Sequence, residues 1–297
     1  MDYGQVFEKL VSETQRYLED NKLSAMVLGI SGGLDSTVTA AICNEVEMRN
    51  PNLKFYGVSL PCSSNKIEEN LSSMLTMKAF CNPYQYWVQY IDEANDAMFK
   101  MCNYKVGTTA IGQGNIKARI RMMYLYNLAN YINGLVIDTD NLTEHYLGFF
   151  TIHGDVGDFN PIGGLWKHEI YTLATYLYWT YRNKNDSSKM NALEKAINIK
   201  PTDGNGVNDN GDMGQIAPAF INDNSIDAYT KVDNIIKDYL ESFAFGDEAQ
   251  KQTIQNLRNT YGADTVDGII SRIERTEYKR KGLPIKINRS LVVNSES

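Results

Sequence analysis

At 297 residues, with 43% hydrophobic and 22% charged positions, the chain has the composition of a folded globular protein able to bury a sizeable core. Its net charge of −7 excludes broad binding to nucleic-acid backbones and points to a small-molecule substrate. No apolar run reaches the length that crosses a bilayer, and Met1–Asp20 has an amphipathic helical pattern instead of a signal sequence, so a cytoplasmic protein with no membrane partner is expected.

Residues 1–22 read as an N-terminal helix. Ala25–Ile30 is short and apolar, the pattern of a buried strand, and Asp35–Met48 carries Val38, Ala41, Ile42 and Val46 at the spacing of a helix with one buried face. Between them lies Gly29-Ile30-Ser31-Gly32-Gly33-Leu34-Asp35-Ser36. Glycines at 32 and 33 let the backbone come close to a ligand, so amide N–H groups and the positive helix end can converge on phosphate oxygens. Ser31 and Ser36 add hydroxyls, and the Asp35 carboxylate in such an anion site is explained by a bridging magnesium ion. The loop has neither the lysine of the Gly-Lys-Ser/Thr nucleotide loop nor the spacing of Gly-x-Gly-x-x-Gly.

Further strand-like runs at Lys54–Leu60, Tyr86–Ile91 and Gly134–Thr139 alternate with helical runs at Lys66–Phe80 and Gly114–Tyr131. That alternation predicts right-handed β-α-β units, hence an α/β fold with a doubly wound parallel sheet and ligands at the carboxyl ends of its strands. Cys43, Cys62, Cys81 and Cys102 contain no Cys-x-x-Cys, and His145, His153 and His168 lack ligand spacing, so reduced thiols and no zinc are expected. The stretch from Gly114 brings Lys117, Arg119 and Arg121 together, two of them on one helical face. Asp138-Thr139-Asp140-Asn141-Leu142-Thr143-Glu144 ends the fourth strand in hydroxyls and carboxylates at the edge that carries the first loop, which suggests a shared magnesium site.

Lys167–Tyr181 is again helical, with Ile170, Leu173, Ala174 and Leu177 on one face, and Arg182–Lys189 reads as a polar surface connection. Thr202–Gly214, rich in glycine, Asp and Asn, is either a loose loop or a lid over substrate, within a segment 199–218. A helical pattern runs from Ser225 to Lys281 and is ended by Gly282-Leu283-Pro284, giving a helical C-terminal segment at 225–297 behind a core at 23–182.

Five stretches in order carry a resemblance: Gly29–Ser36; Gly114–Arg121; Thr139–Glu144; Gly148-Phe149-Phe150-Thr151 running into Gly154–Pro161; and Arg275–Arg280. With these the chain resembles ammonia-dependent NAD synthetases, of the ATP pyrophosphatase class with a Rossmann-like, adenine nucleotide alpha hydrolase-like fold. The resemblance implies that Gly29, Ile30, Ser31, Gly32, Gly33, Leu34 and Ser36 hold ATP, joined by Thr139, Lys167 and Thr202. It makes Asp35 and Glu144 magnesium ligands, and Asp35, Glu144 and Lys167 the catalytic set. Arg119, Asp158, Tyr278 and Lys279 are implied to contact deamido-NAD, with Asp155 a further polar residue of that shell. The implied reaction adenylates the nicotinate carboxylate with ATP, releases pyrophosphate, and lets ammonia displace AMP to give NAD. A homodimer is implied, as is ammonia as nitrogen donor, since no amidase domain accompanies the synthetase region. Where the family has Gly-Thr-Asp-His this chain has Asp138-Thr139-Asp140-Asn141, and Ile152 replaces a lysine that touches deamido-NAD. Ser59 stands at the arginine of the family's Arg-Leu-Pro, and the Gly154–Asp158 stretch is one residue shorter. These changes spare the ATP machinery and fall on the acceptor side. A sister ATP pyrophosphatase with another acceptor, or a silent nucleotide-binding homologue, would keep the same loop.

Overall fold

The computed structural model describes residues 1–104, 107–199, 214, 216–217, 220, 223 and 225–282. Four strands, β1 (Ala25–Gly29), β2 (Lys54–Ser59), β3 (Tyr86–Val88) and β4 (Gly134–Ile137), form one parallel sheet in the order β3-β2-β1-β4. The chain winds outward from β1 through β2 to β3, then crosses back to place β4 on the other side of β1. The reversal leaves a crevice at the carboxyl ends of β1 and β4, where ligands of doubly wound sheets bind. The Asp158–Phe159 segment continues the sheet beyond β4 by one bridge, Ile137 to Phe159.

Strand residues alternate between two cores, as the two-residue period of a pleated strand requires. Met26, Leu28, Leu135 and Ile137 face the larger core, with α1 (Tyr3–Asp20), α2 (Leu34–Arg49), α3 (Ile67–Phe80), α7 (Lys167–Asn183) and α8 (Ser187–Asn198) packed into it. Val27, Val58 and Val136 face the other, covered by α5 (Ala110–Tyr131) through Ile120, Met122, Leu125 and Ala129. Helix α4 (Asp92–Asn103) packs on α5, and α6 (Leu142–Leu147) is a short turn after β4. The C-terminal helices α9 (Ile226–Ser242), α10 (Asp247–Tyr261) and α11 (Ala263–Arg275) join the larger core, and a 3-10 turn, Glu277–Arg280, follows.

Several expectations change here. Helix α2 buries Thr37, Thr39, Ala40 and Cys43 as well as its predicted face, because the sheet lies on one side and α1, α3, α7 and α8 enclose the rest. The fifth helix starts at Ala110 and not at Gly114, because Thr109 caps it by accepting from the Gly112 N–H. Arg182–Lys189 is no mere connection: α7 runs to Asn183, and Asp186 caps α8 through the Lys189 N–H. The long helical pattern after Ser225 is cut at Gly246 and Gly262. Strands β2, β3 and β4 end at Ser59, Val88 and Ile137, short of their expected ends, because the chain leaves the sheet to build loops at its carboxyl edge.

Candidate active site

A cleft of about 590 Å³ opens at that carboxyl edge. From the first loop it takes Gly29, Ile30, Ser31, Gly33, Leu34, Asp35 and Ser36, and from the end of β4 Asp138, Thr139, Asp140 and Glu144. Gly33 is the N-cap of α2 and provides no side-chain cap, so the first-turn amides of α2 are directed at the cleft, the arrangement that suits an anion. The loop is braced from behind. Ser72 of α3 donates to the Gly32 carbonyl at 2.6 Å and Ser73 to the Ile30 carbonyl at 2.7 Å, which turns the loop's carbonyls away from the cleft. Gly32 has φ +83°, and a Cβ there would lie 2.2 Å from the Ser73 nitrogen. It therefore serves packing against α3, and not the close approach to a ligand that the sequence suggested. Its N–H donates to Ser36 Oγ at 3.2 Å, and Ser36 and Ser31 hydroxyls pair at 3.0 Å.

Asp35, Glu144 and Lys167 meet beside this loop although 132 and 23 residues separate Lys167 from its two partners. Lys167 Nζ donates to Asp35 Oδ2 at 2.5 Å and to Glu144 Oε1 at 3.0 Å, with its side chain 3% exposed. Burial alone would lower the pKa of the ammonium, but the two carboxylates outweigh that and hold it well above the usual lysine value. Asn141 completes the set. Its side chain donates to Asp35 Oδ1 at 3.0 Å and accepts from the Glu144 N–H at 3.0 Å, while Glu144 Oε2 accepts from the Asn141 N–H at 3.3 Å. The reciprocal pair is a capping box that starts α6 and aims Glu144 inward. Gly148, at φ +66°, ends that helix in the left-handed conformation and turns the chain back into the cleft.

More carboxylates gather toward the mouth. Asp138 accepts from the Asp140 and Gly157 N–H groups, and burial raises its pKa. Burial, then the charges of Asp138, Glu144, Asp155 and Asp35, raise Asp140 well above the carboxylate range. Asp155, at the mouth, accepts from the Thr151 N–H at 2.6 Å; the protein crowded around its carboxyl, then the Asp138 charge, push it up to about 6. Lys279 faces this cluster from the C-terminal side, its charge opposing that of Asp155 and Asp140, and Arg272 lines the same cleft.

A second cavity of about 840 Å³ adjoins the first, sharing Met122, Asp138, Asp140, Phe150 and Lys279 with it. Arg119 and Ile152 line it, and Arg119 Nη2 donates to the Ile152 carbonyl at 3.1 Å. Lys279 donates to the Gly148 and Phe150 carbonyls at 2.8 and 2.5 Å, at the boundary between the cavities. Two expected substrate contacts stand apart from both. Asp158 bonds the Val136 N–H at 2.9 Å along the outer edge of β4, and Tyr278 is exposed on the surface. Thr202 and most of 199–218 lie outside the described residues. The run 138–144 was expected at a shared cation site, but the chain's departures from the family pattern do not spare the phosphate side as expected: Asn141 bonds Asp35 and caps Glu144, and Ser59 and Asp138 line the first cavity. Sequence reasoning did not assign Arg272, which lines the same cavity.

Comparison with known proteins bears on these residues. A family model described as NAD synthase matches residues 6–283. An NH3-dependent NAD(+) synthetase of Methanosarcina mazei is 30% identical over 272 residues, covering 89% of this chain and 90% of that protein. One from Campylobacter jejuni is 38% identical over 179 residues, 60% of this chain and 69% of that protein. Among solved structures, the NMN synthetase from Francisella tularensis shares the fold with a TM-score of 0.71 at 23% identity, covering 97% of this chain and 99% of its own. The NH3-dependent NAD synthetase from Campylobacter jejuni, in complex with nitrate, does so with a TM-score of 0.68 at 24% identity, covering 97% and 100%.

Proposed function

We propose that this chain, which belongs to the NAD synthase family, makes NAD from deamido-NAD, ATP and ammonia, releasing AMP and pyrophosphate. The observation that carries this reading is the meeting of Asp35, Glu144 and Lys167 beside an uncapped helix start at the switch point of a parallel sheet. Anions, a divalent cation and a fixed ammonium belong together where a triphosphate is cleaved.

Magnesium fits the donors present. Asp35 and Glu144 meet at the Lys167 ammonium, so their carboxylates are close enough to share one cation, and magnesium is held by one or two carboxylates with substrate phosphates completing its shell. Bound there, it would offset phosphate charge. The chain's own groups do the rest. ATP occupies the first cavity, its phosphates against Ser31, Ser36, the amides opening α2, and Lys167, with Thr139 nearby. The acceptor occupies the second, where Arg119, Ile152 and Lys279 converge.

A nicotinate carboxylate oxygen attacks the α-phosphorus, and the bond to pyrophosphate breaks. Lys167 and the α2 amides face the charge that leaves with pyrophosphate, so positioning and electrostatics suffice and no side-chain nucleophile is required. Ammonia then attacks the acyl carbon, the bond to the AMP oxygen breaks, and the nitrogen loses a proton. Ionised Asp155, at the mouth, accepts that proton.

The same reading includes a homodimer, as the family resemblance implies, and a cytoplasmic location, where ATP is supplied. No helix among the described residues is long and apolar enough to cross a membrane. Incubation with deamido-NAD, ammonium, ATP and magnesium is expected to give NAD, AMP and pyrophosphate in equal amounts. AMP formed only with another carboxylate would overturn the acceptor assignment.

A further inference from the structure

We infer that Asp233, on α9, is a positioning residue that fixes Lys167 relative to Glu144 without touching substrate. The inference rests on the ATP reading of the cleft given above.

Asp233 is 0% exposed and lies on the apolar face of α9, among Tyr229, Val232, Ile236 and Tyr239. A carboxylate there is strongly unfavourable unless every oxygen is bonded. It is. Oδ1 accepts from the Thr143 hydroxyl at 2.5 Å, and Oδ2 accepts from the His168 backbone N–H at 3.1 Å and pairs with His168 Nδ1 at 2.6 Å. An ionised carboxylate only accepts, so Nδ1 carries the hydrogen. Thr143 Oγ1 in turn accepts from the Lys167 N–H at 2.9 Å.

One buried carboxylate therefore ties the start of α6 to the start of α7. The residues it ties, Thr143 and His168, are the chain neighbours of Glu144 and Lys167. The 3.0 Å contact from Lys167 to Glu144 spans these same two helix starts. The first-turn amides of α7 also favour a negative charge at this point. Nothing in the clamp reaches the cleft: neither Asp233, Thr143 nor His168 lines either cavity.

Asp233→Asn keeps the shape but places a donor where two or three donors already point. The readout is the magnesium-ATP dissociation constant from calorimetry, at a temperature where circular dichroism finds each variant folded. Asp233→Asn is expected to weaken binding about tenfold in the native background and less than about twofold in Lys167→Ala, because the clamp acts through that lysine. Thr143→Val should match Asp233→Asn, and Thr143→Ser, which keeps the hydroxyl, should stay within about threefold of the native protein. Equal weakening in both backgrounds would mean a general structural role and overturn the inference, as would unchanged binding. Where Asp233→Asn does not fold, the Thr143→Val and Thr143→Ser pair decides by the same criterion. A Lys167→Ala protein that binds as the native one does would instead overturn the phosphate reading itself, and the clamp with it.

Discussion

The two cavities of the cleft differ in the side-chain set at their centres, although cations bonded to backbone carbonyls line both. Around the first, side chains bond side chains: Asp35 on α2, Asn141 and Glu144 on α6, and Lys167 on α7 hold one another in a buried set, backed by Asp233. Around the second, cations end on backbone carbonyls, with Arg119 on Ile152 and Lys279 on Gly148 and Phe150, among Met122, Met123 and Val156. In the first cavity each partner fixes the others, so any replacement disturbs several bonds. In the second a side chain can change and leave the carbonyl frame intact. That difference accounts for one of the places where the chain departs from the family pattern. Ile152 lies in the second cavity, and its carbonyl still serves Arg119 whatever its side chain. The other departures do not keep to the acceptor side: Ser59 lines the first cavity, Asp138 lines both, and Asn141 is woven into the buried set through both ends of its amide.

The sharpest way to break this contrast is Lys167→Ala. Removing a preorganised ammonium from the phosphate side should lower kcat about 1000-fold, with deamido-NAD affinity changed little, as checked by steady-state rates and direct binding. A comparable loss of acceptor affinity would mean that the two cavities are not separate in function.

Asp155→Asn addresses the mouth between them. With the Asp155 carboxyl pushed up to about 6, native kcat/KM expressed per free NH3, which removes the titration of ammonium itself, should rise as pH passes from about 5 to about 7, because the ionised form accepts the proton. The variant should lose that limb and run about tenfold slower at pH 7.5. A limb that persists in Asp155→Asn would assign it to another group.

The smallest effect is one of stability. Asp140 has a folded-state pKa raised above its unfolded value, so the folded protein holds the proton more tightly and loses stability as pH climbs through that interval. Asp140→Asn should therefore raise the melting temperature at pH 7.5, by about 2 °C, and leave it unchanged near pH 4. Calorimetry at the two pH values checks this, and a lower melting temperature at pH 7.5 would show the carboxylate to be stabilising.

Legibility in the sequence followed the range of the interactions. The Gly29–Ser36 loop and the acidic run ending at Glu144 were readable because each is a local pattern next to a strand end or a helix start, whereas Lys167 was named only through the resemblance. The meeting of Asp35 with Lys167, across 132 residues, was not legible from the strand pattern, which says nothing of where the helix opened by Lys167 begins. Short helices escaped: α6 has 6 residues and α8 has 12, too few turns for apolar spacing to stand out from polar surroundings. Full burial of α2 escaped because a one-faced apolar pattern with threonines between does not reveal a helix enclosed on all sides. Asp233 left a trace, a carboxylate four residues after Tyr229 on an otherwise apolar face, but its partners lie 65 and 90 residues away and no local window contains them.

The central claim is that the cleft transfers adenylate to the carboxylate of deamido-NAD. Oxygen-18 placed in that carboxylate and followed by mass spectrometry tests it most directly. One labelled oxygen should leave in the phosphate of AMP, with pyrophosphate unlabelled and NAD keeping the other. Label appearing in inorganic phosphate alongside ADP would contradict the claim, because it would place the attack at the γ-phosphorus.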